Sequence, residues 1–177
     1  MPDSYSYYLE DDGEEIYYHF ATSEAEYTVY FNPNEYIRRI EDYPFLLRNA
    51  YGFGFFQFPH NKDFIPKIDN KIKHTIEQII CDFFTSKNEN AVILYHCDYT
   101  DSRQQKRSNK FNRWYADSTA KGLIKKHEIA LEIGDNAENT SYTTHYIGYL
   151  CPYGNPHIEL AHKEFEDFAA NLVLDGK

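Results

Sequence analysis

At 177 residues the chain is long enough for one well-packed domain and barely long enough for two. Its 18 basic against 28 acidic residues, a net charge of −10, argue against a general nucleic-acid surface or an anionic-membrane surface, because phosphates are repelled at long range. No charged and apolar leader opens the sequence and no apolar run nears bilayer length. Cys81, Cys97 and Cys151 form no C-x-x-C pair, so reduced structural thiols in a soluble, cytoplasmic protein without membrane contact are expected.

From the start, Met1 to Glu15 is acidic and tyrosine-rich, and EDDGEE at Glu10 to Glu15 marks a solvated turn. Residues 1–15 are expected to be flexible within a single α+β domain spanning residues 1–177. Ile16 to Thr22 and Tyr27 to Phe31 are rich in strand formers, and the four-residue SEAE between them suits a hairpin. Tyr27, Val29 and Phe31 then share one face, with Thr28 and Tyr30 on the other. Pro33 ends this strand, and a short helical turn over Asn34 to Ile40 is expected. Tyr51 to Phe58, YGFGFFQF, reads as a further strand with Phe53 and Phe55 on one face. Its glycines, Gly52 and Gly54, thin the other face for close approach of a helix or backbone. An aromatic stacking platform competes with the core reading there, and the core reading is favoured because aromatics this numerous must also fill the interior.

Asp63 to Lys87 has the clearest period in the chain: Ile68, Ile72, Ile76, Ile79 and Phe83, flanked by Ile80 and Phe84, form one apolar stripe of a helix. With a strand on either side, this helix becomes a crossover joining parallel strands. Leu123 to Ile133 alternates, Ile129, Leu131 and Ile133 against Glu128, Ala130 and Glu132, as a half-exposed antiparallel strand. It returns through the polar loop Gly134 to Thr140 into Tyr142 to Leu150. Asn155 caps a last helix with Pro156 at its first position, burying Ile158, Ala161, Phe165, Phe168 and Leu172. The class expected is α+β: a mainly antiparallel sheet of about six or seven strands, one parallel crossover and three main helices.

The chain is organised around Ala91 to Tyr115. Ala91 to Tyr95 is an unbroken apolar run too short for a helix, hence a central strand covered on both faces. Asp98 and Asp101 fall just past its carboxyl end, where open α/β sheets tend to gather functional groups. Asp101 or Ser102 can cap the next helix, and Ser102 with Gln105 reads as a capping box. That helix, about Arg103 to Ala120 with Gly122 as its stop, carries Arg103, Lys106, Arg107, Lys110 and Arg113 and turns Phe111, Trp114 and Tyr115 inward. In one reading Arg103 and Arg107 pair with Asp98 and Asp101 and tie helix to strand; in the other they hold a phosphate or a partner's carboxylate. The first is favoured, since such pairs are common scaffolding. The candidate cluster is Asp98, Asp101, Arg103, Arg107, Arg113 and Trp114.

No metal site or cofactor is expected. His157 and His162 are five apart and point to different helix faces, and no H-x-x-x-H or H-E-x-x-H occurs. Asp98 and Asp101 are weak candidates for Mg²⁺. Gly-rich phosphate loops and G-x-S-x-G elbows are absent. Tyr95, Cys97, Asp98, Asp101, Arg103, Gln104, Arg107, Phe111, Trp114 and Tyr115 form the pattern Y-x-C-D-x-x-D-x-R-Q-x-x-R-x-x-x-F-x-x-W-Y. This resembles a family of small bacterial proteins of unknown function, with similarity extending to the first hairpin, the isoleucine helix and the loop near Asn155. The resemblance implies a distinctive strand, turn and basic helix, and no activity.

The function expected is a non-enzymatic protein-interaction or regulatory role, its partner another protein met by an acidic, tyrosine-rich surface. A Mg-dependent phosphate-handling enzyme or nucleotide sensor built on Asp98, Asp101, Arg103 and Arg107 is the alternative. Single-strand nucleic-acid binding through Arg103 to Arg113 is a third.

Overall fold

A computed structural model describes residues 3–13, 15–35, 39–65, 68–87, 89–134 and 141–175. Its elements in chain order are β1 (Tyr7–Asp11), β2 (Ile16–Ala21), β3 (Ala25–Asn32), α1 (Pro44–Asn49), β4 (Ala50–Pro59), α2 (Asn70–Ser86) and β5 (Val92–His96). There follow α3 (Gln104–Ala116), a 3₁₀ turn (Thr119–Gly122), β6 (Ile124–Gly134), β7 (Tyr142–Pro152) and α4 (Ile158–Asp175). The fold is α+β, and one seven-stranded sheet runs β1-β2-β3-β4-β5-β7-β6. Every neighbouring pair is antiparallel except β4 with β5, which the α2 crossover joins in parallel.

β5 sits inside the sheet with both faces covered, as its apolar run requires: Val92 and Ile93 are fully buried. Ile93 and Tyr95 face a core built with Ile76, Ile79 and Phe83 of α2, while Val92 and Leu94 face a second core with Phe165 and Phe168 of α4. α1 is a single short helix with no side-chain cap of its own. Glu164 of α4 supplies one from outside, its Oε2 accepting from the backbone N–H groups of Phe45 at 3.0 Å and Leu46 at 2.9 Å.

Several expectations change. The chain before and at the start of β1 is bonded to α2 and its cap: the Tyr5 backbone N–H donates to Thr75 at 2.8 Å, Tyr5 Oη to Asp69 at 2.9 Å, and the Tyr7 hydroxyl to Asp82. These bonds to α2 let Tyr7–Asp11 become an edge strand, so Glu10 and Asp11 of EDDGEE lie in that strand, paired with Tyr17 and Ile16. α2 starts at Asn70, where Asp69 accepts from Lys71 N at 2.8 Å, so Ile68 precedes the helix and is 98 % exposed. Gly52 and Gly54 admit side chains, not a helix or a backbone: Glu35 lies over Gly52 and the Tyr30 ring over Gly54. Phe55 is exposed, because β4 outruns the helices beneath it. Part of the turn expected at Asn34 to Ile40, and most of the loop Gly134 to Thr140, lie outside the described residues.

Glu128, expected on a solvent face, is instead buried beneath α3. In register, Tyr95 lies across Gly148 from Glu128, and the bare glycine lets the Tyr95 hydroxyl reach the carboxylate at 3.0 Å. Glu128 also accepts from Ser108 Oγ at 2.6 Å and Asn112 Nδ2 at 2.8 Å, with Lys126 Nζ at 3.4 Å. The Lys126 and Glu128 side chains are only 4 % and 9 % exposed, so a charged pair is held inside by hydrogen bonds. Burial pushes the Glu128 carboxyl up, yet Ser108, Lys126, Asn112 and Tyr95 together leave it below its usual range. A Cβ at Gly148 would stand 2.5 Å from the carbonyl oxygen of His127, which is backbone and cannot swing aside. Gly148→Ala is therefore expected to cost about 2 kcal/mol or more. Urea unfolding checks it, through a lowered midpoint at unchanged slope.

Candidate functional site

Past β5 the chain makes two nested turns. Asp98 Oδ1 accepts from Thr100 N at 3.0 Å, and Asp101 Oδ1 from Arg103 N at 3.1 Å. Ser102 has φ of 58°, in the left-handed region, and Arg103 takes the N-cap position without a side-chain cap, so the Ser102 and Gln105 capping box does not form. α3 also stops early, at Ala116 with Asp117 as C-cap, and Ser118 caps the 3₁₀ turn that contains Gly122.

Arg107 closes the turn with a planar fork. Its Nη1 donates to Asp101 Oδ1 at 2.6 Å and its Nη2 to Oδ2 at 2.8 Å, while Nη1 also reaches the Asp98 carbonyl at 2.8 Å. Arg103 is 71 % exposed, with Nε 4.0 Å from Asp101. Arg113 is exposed on α3, and Trp114 packs half-buried against the core with the Lys110 ammonium 4.7 Å over its ring. The structure thus brings Asp98, Asp101 and Arg107 together and leaves Arg103 and Arg113 in solvent. Both Asp101 oxygens accept from Arg107, and Asp98 Oδ1 accepts from Thr100, so Mg²⁺ would have to compete with these bonds for either carboxylate. The hydrogen bond from Arg107 holds the Asp101 carboxyl down at about 2. Asp98 is lowered mainly by the backbone N–H of Thr100.

The opposite face of the sheet carries a feature that local sequence did not reveal. α1 and α4 cover β5, β7, β6 and the start of β4. Among the described residues, the outer strands are bare on that side. Register places Tyr8, His19, Thr28 and Phe56 in one row across β1 to β4, Glu10, Tyr17, Tyr30 and Gly54 in the next, and Ala21, Glu26 and Phe58 in a third. Tyr8 stacks on His19 at 5.0 Å and Tyr30 on Phe56 at 5.4 Å. Tyr8, Phe56 and Phe58 are 65 %, 52 % and 54 % exposed.

Where this bare face meets α4, an open groove of about 870 Å³ is lined by Tyr30, Glu35, Arg39, His96, Asp98, Tyr99 and His145 among others. His96 Nε2 lies 3.0 Å from His145 Nδ1, so one ring donates while the other accepts. Burial, with help from His145 and Arg39, pushes the His96 imidazole down to about 4, leaving it uncharged at neutral pH. Burial also raises the Glu35 carboxyl. Among the described residues, the groove presents the Arg39 guanidinium, the Glu35 and Asp98 carboxylates and the paired His96 and His145 rings, a surface suited to polar contacts.

A second group lies on the outer flank of the same face. His127 of β6 and His162 and Glu166 of α4 place three donor atoms within 4.8 Å of one another, the one such His, Cys and carboxylate group among the described residues. Sequence reasoning weighed His157 with His162, but His157 precedes α4 and sets its ring against Phe45. The signal it missed is H-x-x-x-E, His162 to Glu166, whose spacing of four shares a helix face.

Residues 68–142 match the model of a family of unknown function (DUF6169). The matched stretch contains α2, β5, the Asp98 to Asp101 turn and α3, and it covers less than half of the chain. No curated protein and no solved structure matches the chain. No helix of the described residues is long and apolar enough to cross a membrane.

Two titrations follow from these groups. A carboxyl held low in the fold contributes stability above its unfolded pKa and loses it as pH falls through the folded value. Arg107→Ala and wild type should therefore differ in urea midpoint at pH 5 and converge as pH drops from about 4 towards about 2. His96 is depressed in the fold, so the unfolded chain takes up its proton first. Stability should decline as pH falls from about 6.5 towards about 4, and His96→Phe should flatten the upper part of that decline.

Proposed function

We propose that the protein is a non-enzymatic interaction domain of the cytoplasm, which receives a basic, partly apolar segment of another protein across the bare half of its sheet. The observation that carries this reading is the aromatic lattice on one face of the sheet, in which the exposed rings of Tyr8, Phe56 and Phe58 surround the half-buried Tyr17 and Tyr30. Exposed aromatics gathered on one face mark interaction surfaces more than scattered ones do. Glu10, Glu26 and Glu35 lie among these rings, and the net charge of −10 adds a field that draws cationic segments in and turns phosphates away. Three free cysteines, with Cys97 and Cys151 on opposite faces of the sheet, suit a reducing compartment. With its Tyr95 to Tyr115 motif, the chain fits among small bacterial proteins.

The alternatives have less support. A phosphate clamp built on Arg103 and Arg107 would lose half its forks, because Arg107 is bound to Asp101 and Arg103 alone of the pair stays in solvent. Nucleic-acid binding by α3 beside stacked bases needs the basic helix and the aromatic rows together, but α3 packs on the far side of the sheet from Phe56 and Phe58. The test is affinity capture with purified protein, followed by titration of the recovered partner. Phe56→Asp with Phe58→Asp is expected to weaken binding at least about thirty-fold, in line with loss of a central aromatic anchor. Arg103→Ala with Arg113→Ala should leave it unchanged. The reverse pattern would move the interface to α3.

A further inference from the structure

We infer that His127, His162 and Glu166 form a binding site for a first-row divalent transition metal, Zn²⁺ before the others, which pins α4 to β6 and keeps a coordination position open to solvent. The donor set is two imidazoles and one carboxylate, a combination that suits Zn²⁺ and does not suit Mg²⁺ or Ca²⁺, which ask for oxygen alone. Two secondary-structure elements supply it. His162 and Glu166 are four apart on α4 and share a face. His127 stands opposite them on β6, on the face turned towards α4, with its ring 4.9 Å from that of His162 and edge-on to it.

The three donor atoms lie within 4.8 Å of one another, and His127 Nε2 is already 2.5 Å from Glu166 Oε1. Tetrahedral Zn²⁺ with bonds of about 2.0–2.1 Å separates its ligand atoms by about 3.3 Å. The separations in the structure, from 2.5 Å up to 4.8 Å, bracket that value. A separate contact supports the assignment. The buried Tyr149 hydroxyl lies 3.1 Å from His162 Nδ1, the placement of an outer partner that fixes a liganding ring and leaves Nε2 for the metal. The His127 and Glu166 side chains are 30 % and 45 % exposed, so a metal can enter and water can complete its shell. The site is separate from the aromatic rows and does not depend on them.

The experiment is titration of the chelator-treated protein with Co²⁺, read by visible absorption, and with Zn²⁺, read by calorimetry and thermal unfolding. A single saturable site is expected, with the intense d–d bands of four-coordinate Co²⁺ and a raised Tm with Zn²⁺. His162→Ala and Glu166→Gln should each remove the bands, Tyr149→Phe should weaken binding about ten- to a hundred-fold, and His60→Ala should change nothing. Glu166→Gln is isosteric and on the surface, so its loss of binding cannot be put down to unfolding. Absence of a saturable site in the folded wild type would overturn the proposal. So would Co²⁺ bands that survive both His162→Ala and Glu166→Gln.

Discussion

An apolar strand of five residues needs cover on two faces, and the rest of this fold follows from meeting that need at β5. Ile93 and Tyr95 demand a helical layer on one side, Val92 and Leu94 on the other. α2 and α3 answer the first demand and α1 with α4 the second. Among the described residues, four helices cannot blanket seven strands twice over, and the shortfall lands on the outer strands, one face of which stays bare there. The surface assigned to partner binding is thus what is left when the central strand has been satisfied.

Burial also governs the polar groups. Glu128 and Lys126 lie under α3 because Gly148 opens a lane across β7 for Tyr95, and because Ser108 and Asn112 of α3 point down at the same carboxylate. A single missing side chain thus joins three strands and a helix through one anion. Next to Ser108 in the first turns of α3, Arg107 forms an exposed pair with Asp101, a tie that fixes the turn and adds little to the fold.

Much of this was legible in the sequence. The isoleucine period found α2, the apolar run found β5, and the alternation of Tyr27, Val29 and Phe31 assigned the faces of β3, because each signal is local and periodic. The pairing of Arg107 with Asp101 was one of several that the sequence offered for Arg103 and Arg107, as opposite charges six residues apart across the turn. Glu128 was misread, since alternation reports which residues share a face and says nothing about whether a helix returns to cover it. The N-terminal strand was missed because its order comes from Tyr5 and Tyr7 reaching α2, some seventy residues away. His127 with His162 and Glu166, and the rows joining Tyr8 to Phe56, exist only once β6 meets α4 and four strands fall into register. Pairings of that range leave no trace in local spacing.

Trp114 gives the packing of α3 an optical consequence. It is the one tryptophan in the chain, half-buried where α3 meets the core, and the Lys110 ammonium lies over its ring. Light absorbed beyond the tyrosine band is therefore emitted from a single point on a single helix. The emission maximum of the intact protein is a gauge of whether α3 is seated, insensitive to events on the far side of the sheet. In a chain with 17 tyrosines and 13 phenylalanines, the basic helix can be watched alone.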